Sequence, residues 1–231
     1  MTKKFNFKEL DNSVLPNTKG KRVDGFRFYD IDGKAYPSVT SVLSINKGPE
    51  LEKWRQSVGE KVADWEMGRA ARRGTATHTL IEEYMKGQTP SIRGVTPLGL
   101  FRLIRPYLDR IDNIRCLETI MYSKELGIAG QTDCIAEYDG KLSVIDFKTA
   151  NKQRQESWIE NYFVQCTAYG EMYKELFKEE VEQVVVLIAS EDGTTQAFIK
   201  DKKDYIEPLK KEIADFYKYF EEQNKDKVEQ D

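Results

Sequence analysis

The apolar residues in the first half of the chain predict a small hairpin followed by helices. FRFYDIDGKAYPS, residues 26–38, alternates apolar and polar positions around the Asp-Gly dipeptide at 32–33, which favours a tight hairpin turn. Apolar residues then recur every three to four positions over about 49–87 and again over 97–111, so both segments are predicted to be helical. Breaks or bends in the first helical segment are expected at Gly59, Gly68 and Gly74.

In the second half the spacing becomes strand-like. IRCLETIMYS, GIAGQTDCIAEY and KLSVIDFKTA predict three successive strands, which we expect to be antiparallel. Helical spacing returns over 156–177, and VEQVVVLIAS and TTQAFIK then predict two more strands around the turn EDGT. A last amphipathic helix is expected over about 201–223, and residues 224–231 are expected to fray.

These elements predict one α+β domain, α/β/α-like, in which helices flank a mixed central sheet. A chain of 231 residues is long enough to bury the core of such a domain. Within the domain, residues 1–112 would form a hairpin and a helical, arch-like region. Residues 113–223 would form the core sheet and its helices, and 224–231 the frayed tail.

The central hairpin places charged residues inside an apolar pattern. Asp139-Gly140 suits a two-residue type I′ turn, and that turn sets Asp133 opposite Asp146 and Gln131 opposite Lys148. Because strand side chains alternate between faces, Asp146 and Lys148 share one face. Two opposed carboxylates repel each other, so a cation between them is expected. Oxygen ligands without thiolates favour Mg²⁺ or Mn²⁺ over zinc.

Two other interpretations of this hairpin stay open at this point. The register could slip by one residue, which would turn Asp133 to the other face. Alternatively, Asp146 and Lys148 could form nothing more than a salt bridge with each other.

The net charge of −3 gives no general attraction to a polyanion, so nucleic acid would have to bind at a local basic patch. The segment 53–73 holds six basic residues against three acids, although a solvated helix surface would look the same. Trp54 or Trp65 could stack on unpaired bases, but core packing is the more common role of tryptophan. The candidate DNA-binding residues of this patch are Lys53, Trp54, Arg69, Arg72 and Arg73.

The three cysteines form no C-x-x-C pair, so we expect neither a disulfide framework nor a zinc ribbon, but reduced, buried thiols. The start of the chain has no apolar signal segment, and no run of residues is long enough to span a membrane. A cytoplasmic protein is therefore expected.

Two further polar groups lie on predicted helices. The single histidine, His78, has Glu82 one turn further along the same face. A lone helical histidine is more often structural than a ligand, but an imidazole beside two carboxylates would complete a mixed N/O metal site. A second polar row, spaced by four residues on a predicted helix, consists of Asn161, Gln165 and Tyr169. This row is either a solvated helix face or a set of hydrogen-bond donors to phosphate oxygens. The opposite side of that helix would bury Trp158, Phe163, Cys166 and Tyr173.

Taken together, these motifs resemble the PD-(D/E)XK nuclease superfamily. The resemblance rests on G-T-x-x-H ending at His78, an acid at Asp133, D-x-K at Asp146 and Lys148, and Q-x-x-x-Y starting at Gln165. More narrowly, the chain resembles RecB-type nucleases, and in particular the mitochondrial genome maintenance exonucleases and their phage relatives. That narrower resemblance rests on the segments YPSVTSVL and LEKW.

The resemblance implies a role for each matching position. His78, Asp133, Asp146 and the backbone carbonyl of Phe147 would hold one or two Mg²⁺ or Mn²⁺ ions, and Lys148 would position the attacking water. Gln165 and Tyr169 would order the site and help to hold DNA. Glu118 and Glu82 are further candidate metal ligands, the latter for a second ion, and Gln131 and Asn161 are further candidate DNA contacts. Some relatives carry a four-cysteine iron–sulphur cluster, which is not expected here.

The resemblance implies a metal-dependent exonuclease that acts on free ends of single-stranded DNA in replication, repair or recombination. Such an enzyme would act alone or with separate partner proteins, and it could be encoded by a phage. A structure-specific or restriction-type endonuclease would use the same core, but the sequence shows no separate recognition domain. A non-catalytic nucleic-acid-binding module would not need Asp133, Asp146 and Lys148 on one face. A structural adaptor would leave the two carboxylates unexplained.

Overall fold

The computed structural model describes the backbone of residues 3–228 and the side chains of 3–46 and 51–223. The strands are β1 (Lys21–Val23), β2 (Phe26–Ile31), β3 (Lys34–Pro37), β4 (Ile111–Ser123), β5 (Ile128–Tyr138), β6 (Lys141–Ala150), β7 (Gln183–Ser190) and β8 (Thr195–Asp201). The α-helices are α1 (Val39–Val42), α2 (Gly48–Val58), α3 (Glu60–Met85), α4 (Val95–Leu108), α5 (Glu160–Phe177) and α6 (Ile206–Val228).

The main sheet has five strands in the order β4-β5-β6-β7-β8. Only β6 and β7 are parallel, because α5 crosses between them, whereas the other neighbours pair antiparallel. The β5–β6 hairpin turns at Asp139 and Gly140, whose φ angles of 52° and 80° are those of a type I′ turn. Its register runs from Tyr138↔Lys141 to Cys134↔Ile145, which is the predicted one.

Helices cover both faces of the main sheet, since alternate residues of its strands are apolar on each side. On one face α3 and α4 pack on Ile145, Phe147 and Leu187. On the other face α5 and α6 pack in a core that includes Val144 and Val186. The predicted mixed sheet flanked by helices is confirmed, and none of the helices in the described chain has the length and apolar character to cross a bilayer.

A second, three-stranded sheet, β1-β2-β3, lies at one end of the main sheet. The predicted hairpin is β2–β3, and β1 was not foreseen. Phe26 meets Phe216 of α6 edge to face, with ring centroids 5.5 Å apart. A bridge between Ser38 and Ala129 joins the end of β3 to β5. The small sheet is therefore held beside the first residues of β5.

Several predicted helix boundaries were wrong. The long N-terminal helical segment breaks at Gly59, where φ is 85°, but α3 runs unbroken through Gly68 and Gly74. A mid-helix glycine costs only about 1 kcal/mol, which the packing of α3 offsets. The last helix begins at Ile206 and continues to Val228, five residues beyond its predicted end. The remainder of the predicted frayed tail, 229–231, lies outside the described residues.

The burial expected for Trp158 was also wrong. Helix α5 begins at Glu160, so Trp158 lies in the preceding 3₁₀ turn and its side chain is 60% exposed. The other three residues expected on the buried side of that helix, Phe163, Cys166 and Tyr173, are buried. The three cysteines are free and buried, as predicted.

Candidate active site

The candidate site lies where β5 and β6 separate. Their ladder ends at Cys134↔Ile145. Beyond that pair the ladder partner of β5 is β4, apart from the bridge between Ala129 and Ser38, while β6 pairs with β7, with Asp146 opposite Val186. Asp133 and Asp146 are the first residues after the split, so their carboxylates face a gap between the two strands instead of continuing the ladder.

Asp133 uses its two carboxylate oxygens differently. Oδ2 accepts a hydrogen bond from the backbone amide of Phe147 at 2.9 Å, which ties the two separating strands together. Oδ1 lies 3.6 Å from Nδ1 of His78. One oxygen therefore maintains the fold at the split, and the other faces the histidine.

His78 reaches this gap from α3. Its Nε2 donates to the carbonyl oxygen of Phe147 at 2.6 Å, and its Nδ1 lies 3.8 Å from Oε1 of Glu118. Burial by itself would lower the pKa of His78, but the charge of Asp133 and the contact with Glu118 raise it to about 9. Ligand atoms of His78, Glu118 and Asp133 all lie within 4.8 Å of one another, a spacing that one metal ion could bridge.

Glu118 owes its position to an unusual backbone. Its φ of 49° lies in the left-handed region, although it stands in the middle of β4. Such a conformation is uncommon for residues other than glycine and is concentrated at functional sites. Oε2 of Glu118 also accepts a hydrogen bond from Nε2 of Gln131 at 2.7 Å. From the sequence, Glu118 was only a further candidate metal ligand. In the structure its carboxylate lies in the same cluster as His78 and Asp133.

Asp146 is buried beside this cluster. Its Oδ1 accepts hydrogen bonds from Nζ of Lys148 at 2.6 Å and from Nε2 of Gln165 at 3.0 Å. Its Oδ2 is buried with no hydrogen-bond partner among the described residues. Burial raises the pKa of Asp146 to about 6. A buried oxygen without a donor is costly, so the donor set suits a hard divalent cation that would contact this oxygen.

Lys148 stays protonated in this setting. Burial lowers its pKa, but the neighbouring Asp146 outweighs burial and raises the pKa above its ordinary value. The ammonium also lies 4.9 Å from the ring centroid of Tyr162, a residue that the sequence did not single out. Asp146 and Lys148 therefore do form a salt bridge, but Asp146 also bonds to Gln165, and the pair is part of a larger polar cluster.

The other predicted site residues differ in whether they line the cavity that contains Asp133. Tyr169 is buried and lines the same cavity as Asp133 and Gln165, whereas Asn161 lines a separate one. The carboxylate of Glu82 accepts a hydrogen bond from Lys86 on its own helix.

Only part of the predicted basic patch is free of salt bridges to acidic side chains. Arg73 is buried, and its guanidinium bonds to Glu191, Asn151 and Thr149. Arg69 pairs with Glu66 and Glu191. The side chains of Lys53, Trp54 and Arg72 are exposed. A role in DNA binding stays a prediction for all five residues, and for Arg73 it would require the salt bridge to open.

A comparison with known families decides what kind of core this is. The family model of the PD-(D/E)XK nuclease superfamily matches residues 53–230. The chain belongs to this superfamily. The PD-(D/E)XK assignment agrees with the five-stranded mixed sheet and confirms the resemblance found in the sequence.

Individual proteins similar to this chain have the names of exonucleases. Mitochondrial genome maintenance exonuclease 1 of Homo sapiens is 29% identical over 174 residues, which cover 68% of this chain and 50% of the human protein. The Mus musculus protein of the same name is 28% identical over 173 residues, 68% of this chain and 51% of its own length. The chain thus spans about half the length of these relatives. A solved structure, "Crystal structure of SSO0001", covers 72% of this chain and 70% of its own at 14% identity, but its TM-score of 0.33 supports no argument.

Proposed function

We propose that the protein is a metal-dependent exonuclease that hydrolyses phosphodiester bonds from the free ends of single-stranded DNA, in replication, repair or recombination. One observation carries the proposal. His78, Glu118 and Asp133 converge from three different elements, next to a buried Asp146 oxygen that lacks a donor and next to a protonated Lys148. Neither a binding module nor an adaptor requires this combination.

The residues that would hold Mg²⁺ or Mn²⁺ are His78, Glu118, Asp133, Asp146 and the carbonyl of Phe147. The chemistry that such an ion would supply there is polarisation of the phosphodiester and a lower pKa of the attacking water. The carboxylates and the carbonyl are ligands that such ions prefer in proteins, and His78 would bind the ion after releasing its proton. Glu82 lies one turn beyond His78 and is the candidate for supporting a second ion.

The protein's own groups then orient the reactants. Lys148 presents an ammonium beside Asp146, where it can hold the attacking water and offset the negative charge that develops on the phosphate. Gln165 holds the same Asp146 oxygen from α5 and so keeps the carboxylate turned toward the metal ligands. Tyr169, packed one turn further along α5, helps to shape the cavity that would receive DNA.

Action at free ends is supported by the relatives, whose printed names are those of exonucleases. The preference for single strands is supported by the partial burial of His78, Glu118 and Asp133, which a single strand would reach more easily than a rigid duplex. The preference for DNA and the pathway belong to this proposal. An endonuclease on the same core is the alternative that the following experiment excludes.

The test is digestion of end-labelled linear and circular single-stranded DNA, with Mg²⁺, with Mn²⁺ and with EDTA. Asp146→Asn is the inactive variant, and Asp204→Asn, an exposed aspartate in the turn before α6, is the matched control. Metal-dependent loss of linear but not circular DNA, by wild type and control only, is the expected result. Cutting of circles would establish the endonuclease instead, and no cleavage with either metal would overturn the proposal.

A further inference from the structure

The active-site cavity continues into a basic groove formed by the small N-terminal sheet. A cavity of about 220 Å³ contains Glu118, Asp133 and Gln165 of the candidate site. A second cavity of about 440 Å³ adjoins it, and the two share Arg27, Tyr29 and Gln131 as lining residues. The two cavities therefore form one path that leads from the metal ligands to the strands β1 and β2.

The outer part of this path is positively charged. Lys19, Arg22 and Arg27 line the second cavity, and none of its lining residues is acidic. Among the described residues that line the path, the carboxylates are those of Glu118 and Asp133, both in the cavity next to the candidate metal ligands. A polyanion lying in this groove would therefore meet cations along its length and carboxylates only where a metal ion would neutralise them.

Arg27 is the central residue of the groove. Within the described part of the chain, its guanidinium makes no hydrogen bond or salt bridge, although the residue is half-buried. Its backbone is fixed on both sides, since its amide donates to Oγ of Ser41 at 2.7 Å and its carbonyl accepts from the amide of Ser38 at 2.8 Å. A cation that is fixed in place and left without an acid is available to bind an anion.

Gly20 holds the Arg27 side chain against the groove wall. A Cβ atom at Gly20 would lie 2.7 Å from Cδ of Arg27 and 3.3 Å from Cζ of Tyr29. The aliphatic stem of Arg27 thus packs directly on the glycine backbone, and any larger residue at position 20 would displace it. The close approach also explains why a glycine, which adds no bulk, stands at the edge of β1.

The cations of α3 differ from those of the groove. Arg55, Arg69 and Arg73 each pair with an acidic side chain, so half of the predicted basic patch is neutralised within the protein. Arg22 donates to the carbonyl of Gly25 at 3.3 Å and has no acidic partner among the residues that the structure describes. The arginines of the groove are therefore less neutralised by acidic side chains than those of α3. For this reason the groove, and not the α3 patch, presents free positive charge next to the candidate metal ligands.

We infer that the groove lined by Lys19, Arg22 and Arg27 binds the phosphates of a single DNA strand whose neighbouring phosphodiester lies among the metal ligands. This inference rests on the proposed function and identifies where the substrate would lie. Contacts to phosphate carry no base information, so binding should be independent of sequence and sensitive to salt. The inference adds β1, β2 and the residues before them to the nuclease core as its substrate-positioning part.

The test is the affinity of the full chain for a fluorescein-labelled oligo-dT, measured by anisotropy in EDTA at several salt concentrations. The variant is Lys19→Gln/Arg22→Gln/Arg27→Gln, and Arg102→Gln, an exposed arginine of α4, is the matched control. We expect at least a tenfold loss of affinity and a salt slope smaller by about 2, since each phosphate contact on a single strand contributes about 0.7. Unchanged affinity in the triple variant, or no binding by the wild type, would overturn the inference.

Two further variants separate the groove from folding and from catalysis. Arg27→Lys should keep most of the affinity, whereas Gly20→Val should reduce it by displacing the Arg27 stem, and circular dichroism should show every variant folded. On cleavable DNA, the triple variant should raise KM and spare kcat. If the wild type cleaves nothing but the triple variant still weakens binding, the proposed function fails and the groove assignment stands.

Discussion

The carboxylate of Asp133 accepts a hydrogen bond from the backbone amide of Phe147, 2.9 Å away on the neighbouring strand. This bond lies one step beyond the last β5–β6 ladder pair, Cys134↔Ile145. It holds the strands at the point where they separate, and it leaves the second oxygen of Asp133 facing His78. Asp133 therefore has a structural role beside its proposed role as a metal ligand, and substitution can separate the two.

Asp133→Asn should lose activity and destabilise the fold less than Asp133→Ala. The asparagine carbonyl can still accept the Phe147 amide, but the charge facing His78 is gone. Asp133→Ala removes both, and leaving that amide without its acceptor should cost about 1–3 kcal/mol of unfolding free energy. Urea denaturation and a cleavage assay on the two variants check this. Equal destabilisation by both would contradict the hydrogen-bond role, and an active Asp133→Asn enzyme would contradict the ligand role.

Lys148→Gln should reduce kcat by about 10²-fold or more, because the positioned cation beside Asp146 is lost. Mn²⁺ affinity should be retained, since Lys148 is not among the proposed ligands. The matched control is Lys203→Gln, an exposed lysine of the turn before α6. Single-turnover kinetics and calorimetric titration with Mn²⁺ give the two quantities. Full activity in Lys148→Gln would remove Lys148 from the mechanism.

Arg73→Met should lower the free energy of unfolding by about 2 kcal/mol, because it leaves Glu191 and Asn151 without their buried partner. The exposed Arg72, the next residue towards the N-terminus on α3, provides the control Arg72→Met, which should change stability by less than about 0.5 kcal/mol. Chemical denaturation measures both. Equal stability of the two variants would show that the Arg73 cluster contributes nothing.

The effect of Arg73 should also depend on pH. The hydrogen bond from Arg73 lowers the pKa of Glu191. A carboxylate whose pKa is lowered on folding stabilises the fold above its unfolded value, about 4.3, and that stabilisation is lost as the pH falls through the lowered folded value. The stability difference between wild type and Arg73→Met should therefore shrink in acid. A difference that stayed constant from neutral pH to about pH 3 would contradict this account.

Gly130→Ala should damage both stability and activity. The new Cβ would lie 2.9 Å from Cε1 of Tyr169 and 3.3 Å from Cγ2 of Val39, so the tyrosine ring could not keep its place against β5. Overpacking of this kind typically costs about 1–3 kcal/mol. Gly99→Ala is the control, because that exposed glycine of α4 has open space around it and the helix should gain up to about 1 kcal/mol. Thermal melts and cleavage rates compare the two, and a Gly130→Ala enzyme as stable and active as wild type would contradict the packing argument.

The local patterns predicted most of the core. The Asp139-Gly140 turn fixes the register of the β5–β6 hairpin, so the closeness of Asp133 to the Asp146 strand followed from the sequence. The order of the strands, the type of sheet and the ends of α5 and α6 depend on tertiary packing, which short-range spacing does not record. Trp158 was misplaced for this reason, since one 3₁₀ turn removes it from the helix face on which it was counted.

The rest of the candidate site depended on information that the sequence pattern does not hold. Glu118 enters the cluster because of a left-handed backbone conformation within a strand, and nothing in IRCLETIMYS indicates that conformation. Arg27 reaches the site through the docking of a separate sheet on β5. The basic run KGKR at 19–22 was the available signal for the groove, and it was overlooked beside the longer patch on α3.

The proposed function requires that His78, Glu118, Asp133 and Asp146 hold the metal ion of a nuclease. The most direct measurement is the anomalous scattering of Mn²⁺ in crystals of the wild-type protein and of Asp133→Asn, with the metal at the same concentration. A strong peak is expected between His78, Glu118 and Asp133 in the wild type, in contact with Asp146 Oδ2, and it should be lost in the variant. Mn²⁺ bound elsewhere, or bound equally in Asp133→Asn, would contradict it.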